Sequence, residues 1–138
     1  MKNLAKWLLV STALTPLIFS ANSLFPYVFP KAVFFRFVIF FATVAISILL
    51  ISSADARRSL TLRICMFWQH SLGKAVTFMM ASLAISTVFA YDRFTAFFGN
   101  IERAEGFIGI FFFYIFLVLA YSLFDRKDWL LFYWVNHF

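Results

Sequence analysis

Two stretches of the chain hold the side chains that could do chemistry. Lys31 and Arg36 follow Pro30, and Arg93 precedes a polar block containing Asn100, Glu102, Arg103 and Glu105. Basic groups at these places suit a phosphate, because a guanidinium offers a planar fork of donors and an ammonium a compact charge. A structural explanation stands beside that one. Arg36 is near enough to the end of an apolar run to lift its charge to lipid headgroups, and Glu102, Arg103 and Glu105 fit the wet face of a surface helix. Asp92 and Arg93 are open to the same reading, as an interfacial ion pair. The histidines, His70 and His137, read as interfacial polar groups rather than general bases. No Gly-rich phosphate loop, paired-carboxylate site or Cys/His metal spacing can be found, so neither a cofactor nor a metal is expected. Cys65 is the single cysteine, which excludes an internal disulfide.

The elements that must position these groups are dictated by composition. Hydrophobic residues make up 64% of the 138 positions and charged residues 13%, too apolar a mixture to surface a water-soluble globule. The formal charge of +6 does not point to nucleic acid, because the basic residues cluster at the ends of apolar runs. The expected fold is therefore an all-α polytopic membrane protein forming a single transmembrane domain. Four spans are predicted, near 7–25, 32–53, 75–91 and 107–124, and the second covers roughly 33 Å at about 1.5 Å per residue. Pro16 should bend the first, where the hydroxyls of Thr12 and Thr15 could absorb the lost backbone bond. That first span reads as an uncleaved signal anchor, since Phe19 spoils a small-x-small cleavage site before Asn22.

Between the spans, 54–74 reads as a cytoplasmic, partly interfacial connection and 92–106 as an amphipathic outer segment. Gly99 permits a break there and Asn100 can cap a new helix start. Ser82, Ser86 and Ala90 fall on one helical face and are expected to pack against a neighbouring helix. The apolar run after Trp129 is too short to span. Counting Lys and Arg on the two sides places Lys2, Lys6, Arg57, Arg58, Arg63, Lys74, Arg126 and Lys127 inside, with both termini in the cytoplasm. Lys31, Arg36, Arg93 and Arg103 then face outward. No acidic residue lies near the middle of a run, which disfavours a proton-coupled small transporter.

The block from Asn22-Ser23-Leu24-Phe25-Pro26 through Lys31 to Arg36 and the block from Tyr91-Asp92-Arg93-Phe94 to Gly99-Asn100-Ile101-Glu102-Arg103-Ala104-Glu105-Gly106 carry a resemblance. They resemble the amino-terminal region of O-antigen ligase and polymerase-like proteins, most closely the forms found in small-genome candidate-phylum bacteria. The Gly-Asn-x-Glu-Arg-x-Glu-Gly pattern is the specific part, and the likeness covers Thr15 to about Tyr121. It implies a metal-independent enzyme of the bacterial cytoplasmic (inner) membrane that moves a glycan from an undecaprenyl-pyrophosphate carrier on the periplasmic face. In that picture Lys31, Arg36, Arg93, Asn100, Glu102, Arg103 and Glu105 would meet the substrate. The family's catalytic His and Arg belong to later helices and a large periplasmic loop, so the chain reads as the first third of such an enzyme, without activity of its own. The alternative is a small stand-alone membrane protein that serves as a structural or assembly partner for other membrane helices.

Overall fold

The computed structural model describes residues 2–18, 28–99 and 106–137. Every element among them is helical: α1 (Lys2–Ser11) with a 3₁₀ extension (Thr12–Leu17), α2 (Phe29–Ser52), α3 (Ala54–Gln69), α4 (Ser71–Val88), α5 (Arg93–Phe98), α6 (Phe107–Leu123) and α7 (Arg126–His137). Two of them, α2 and α4, are long and apolar enough to cross a bilayer, and α6 is a shorter apolar helix of 17 residues. Only 33% of the apolar window of α2 and 11% of that of α4 are buried within the chain. A core helix of a soluble protein would be covered on most sides, so this exposure fits apolar surroundings.

Backbone chemistry sets the boundaries. α1 keeps α-helical form only to Ser11, and the chain then tightens through Pro16, which has no N–H to donate. Thr15 Oγ1 donates to the Thr12 carbonyl at 2.5 Å, and Thr12 Oγ1 to Leu9 at 2.6 Å. The Thr15 hydroxyl thus takes up the Thr12 carbonyl, the one that an α-helical N–H at position 16 would have reached, as the sequence suggested. The rest of the expected first span, residues 19–25, lies outside the described residues.

The other ends differ from the sequence reading by a few residues. Pro30 and Lys31, which precede the span expected near 32–53, belong to the first turn of α2, where a missing proline N–H leaves no bond unmade. Ser53 is extended; it ends α2 through its N–H to Leu49 and starts α3 by accepting from the Ala56 amide on its side chain. Arg57 Nε donates to the Leu50 carbonyl at 3.1 Å, satisfying another open carbonyl of α2. His70 repeats this double role: it closes α3, and its Nδ1 accepts from the Leu72 amide at 3.4 Å. α4 therefore begins at Ser71, four residues before the expected start of the third span. A Cβ on Gly73 would collide with the Phe67 carbonyl, so the α3–α4 corner closes only around a residue without a side chain.

α6 is the central helix, touching α1, α2, α3, α4 and α5, while α2 and α4 do not touch each other. The core forms where α1, α2 and α6 meet. Ala5, Ala42 and Ala120 are fully buried there beside Leu9, Ile39 and Leu123. Alanines at the crossings bring the backbones close, and dispersion contacts between them hold helices together even without water to exclude. Phe35 of α2 stacks on Phe113 of α6 with centroids 4.5 Å apart and meets Phe116 edge-on.

Candidate functional site

The sequence-derived candidates lie at the Phe107 end of α6. Lys31 and Arg36 are half-buried in the first two turns of α2, and Arg36 follows the residue that stacks on Phe113. Arg93 is exposed at the first position of α5. α5 packs on α4 and α6 and has no contact with α2, so Arg93 and the Lys31/Arg36 pair stand on elements that do not touch. Asn100, Glu102, Arg103 and Glu105 lie outside the described residues. The ends of their segment meet: a Cβ on Gly106 would run into the backbone of Phe97, Phe98 and Gly99, and Gly99 adopts φ 84°, in the left-handed region that favours glycine. The break expected at Gly99 is present.

Asp92 differs from its expected role as an ion-pair partner of Arg93. Its Oδ1 accepts from the Thr95 amide at 3.1 Å and its Oδ2 from the Thr95 hydroxyl at 2.6 Å, which makes it the N-cap of α5. These bonds from Thr95, the side-chain bond foremost, hold its carboxyl below the usual range.

The densest polar geometry among the described residues is at the opposite end of α6, where charge counting puts Lys6 and Arg63 on one side of the membrane but assigns no role to them or to Asp125 and Asp128. Lys6 Nζ donates to Asp125 Oδ2 and Asp128 Oδ2, each at 2.7 Å. Arg63 of α3 approaches Asp125 Oδ1 at 3.5 Å and donates to the Ser122 carbonyl at 3.3 Å. Asp128 also accepts from the Asp125 amide at 2.8 Å, the N3-to-N-cap half of a capping box that starts α7. The hydrogen bond to Asp125, then that to Asp128, raises the Lys6 pKa, and the Lys6 ammonium lowers both carboxyls. A lysine held protonated in this way is neither base nor nucleophile; what it does is tie α1, α3 and the α6–α7 corner together. The i, i+3 spacing of Asp125 and Asp128 beside an otherwise basic face was the available signal.

A second polar group lies midway along α6. Trp68 Nε1 donates to Tyr114 Oη at 3.1 Å, and Tyr114 Oη pairs with Thr77 Oγ1 at 3.0 Å, linking α3, α4 and α6. Beside it a cleft of about 280 Å³ between α4 and α6 is lined by Met79, Met80, Ile110 and Phe113 among others. Ser82 and Ser86 do not pack against a neighbour within this chain, because α6 meets the Gly73 and Met80 face of α4 and leaves them exposed. No group of three His, Cys, Asp or Glu side chains among the described residues could hold a metal ion. Compared with protein-family models, curated proteins and solved structures, the chain matches none.

Proposed function

We propose that the chain is a four-span protein of the bacterial cytoplasmic (inner) membrane with both termini inside, and that it serves as a membrane module of the O-antigen ligase type. The observation that carries the topology is the meeting of Lys6, Arg63, Asp125 and Asp128. In a bilayer, groups from these positions can meet only if an even number of crossings separates each from the next. Spans near 7–25, 32–53, 75–91 and 107–124 satisfy that condition. Cys65, exposed on α3, provides the test. A membrane-impermeant maleimide should leave it unmodified in spheroplasts and label it after permeabilisation. Cysteine placed at Asn100 in a Cys65→Ser background should behave the opposite way, and the reverse pattern rejects the topology.

The module's task in this reading is to present a pyrophosphate-linked glycan, not to break its bonds. Support comes from the Gly-Asn-x-Glu-Arg-x-Glu-Gly block and from Lys31, Arg36, Arg93 and Arg103, whose charge suits the carrier's pyrophosphate. Asn100, Glu102 and Glu105 would shape the same surface. In an active enzyme carrying the same blocks, alanine at the positions matching Arg36 or Arg103 should abolish glycan transfer while the protein stays in the membrane. Unchanged transfer removes this part of the reading.

The outward-facing Ser82 and Ser86 favour a second reading, a stand-alone assembly partner whose α4 docks onto another membrane helix. Ser82→Cys in a Cys65→Ser background would then cross-link to a neighbouring helix in native membranes. Absence of any cross-linked species argues for the first reading.

A further inference from the structure

The cleft between α1 and α7 is graded from polar to apolar in one direction. Its volume is about 320 Å³, with Asn3, Lys6 and Lys127 towards one end and Trp7, Val10 and Leu131 along its walls. That is the lower end of the range for small-molecule sites, about 300–1,000 Å³. α1 and α7 run parallel here, because Lys6 meets Asp128 and Val10 shares the cleft with Leu131 one turn further on. The charges are not equivalent. Lys6 is occupied by Asp125 and Asp128, so its ammonium and the Asp128 carboxylate offset each other. Lys127 is exposed and forms no ion pair among the described residues, and its neighbour Arg126 is exposed as well. Trp7 is 66% exposed beside them, an amphipathic ring at the level where the polar lining gives way to the apolar one.

We infer that this cleft is a docking site for an anionic phospholipid of the adjoining leaflet, with the phosphate at Lys127 and Asn3 and the upper acyl chain against Trp7, Val10 and Leu131. The inference rests on the membrane reading above and adds headgroup selectivity to it. An anionic headgroup is favoured over a zwitterionic one because the charge at the mouth is cationic and the cleft's own carboxylate is already neutralised by Lys6. A lysine near an anionic surface contributes about a fivefold preference.

The full chain is tested in phosphatidylcholine vesicles carrying a minority of lipid with brominated chains, either phosphatidylglycerol or phosphatidylcholine. The Trp7 signal is the difference between the wild type and Trp7→Phe. Quenching of Trp7 by the brominated phosphatidylglycerol should require about fivefold less lipid than quenching by the brominated phosphatidylcholine. Lys127→Gln should remove that preference and Lys127→Arg should keep it. Equal quenching by the two lipids, or a preference that survives Lys127→Gln, overturns the site. Flotation separates the two levels of failure: a chain that stays in the buffer sinks the membrane reading together with this one. A chain that floats without preference sinks this inference alone.

Discussion

The two ends of α6 are built on different principles. At the Leu123 end, groups far apart in sequence meet, with Lys6 and Asp125 separated by 119 positions and Arg63 joining from α3. At the Phe107 end Asp92 caps α5 through Thr95, a bond within one turn, and the chain reverses at two glycines whose backbones touch. A long-range ion pair fixes how helices stand relative to one another. A cap fixes only where one helix starts. The first end is thus a tertiary joint, and the second is marked by local devices that set where a helix starts and where the chain turns.

That contrast can be broken by substitution, and the corner at Gly73 should give the largest effect. Gly73→Ala drives a Cβ into the Phe67 carbonyl, and separating α3 from α4 should cost about 2–3 kcal/mol, read as lowered thermal stability in detergent. Lys6→Met should cost less, about 1 kcal/mol, since charge-assisted bonds at a partly wet site are discounted by solvent. Limited proteolysis should then cut within α1 first. A loss as small as that of an exposed control such as Lys74→Met would mean that the joint does not hold α1.

The pH dependence sharpens the same difference. Asp125 and Asp128 have lowered pKa values, so their contribution is present above the ordinary carboxylate range, near pH 4, and is lost as pH falls through the depressed values. Lys6 is raised, so its contribution is complete below about pH 10.4 and is lost as pH rises through its folded value. The stability gap between the wild type and Lys6→Met should therefore be flat across neutral pH and close at both extremes. A gap that varies near pH 7 would implicate another group. The smallest effect is expected at the other end: Asp92→Ala should leave the global transition unmoved and speed hydrogen exchange at the Thr95 amide.

Much of the fold was legible because apolar runs and helix breakers act locally. Composition is enough to place the long runs of α2 and α4, and Gly99 and Pro16 interrupt helices where their backbone chemistry requires it. The start of α2 lies a few residues before the expected span because a proline marks a boundary from either side, and only its first-turn position makes Pro30 part of α2. Ser53 and His70 were invisible as joints because any polar residue between two helices looks like a loop residue. The Lys6 network was half legible. Counting charges assigns a side to Lys6, Arg63, Arg126 and Lys127, but the partner of each depends on which helices pack, and apolar periodicity says little of that when every face of a helix is apolar. The surface around Arg36 and Arg93 was legible as charge, not as an assembled site: the elements that bear the two residues do not touch.

The span of sequence between Lys6 and its carboxylates sets an order of events during synthesis. At about 5–20 residues per second, the ribosome delivers Asp125 roughly 6–24 s after Lys6. Throughout that interval the amino-terminal helix can lean on α2 but carries an unanswered positive charge. Whatever holds that end until translation reaches α7 must release it again when the aspartates arrive.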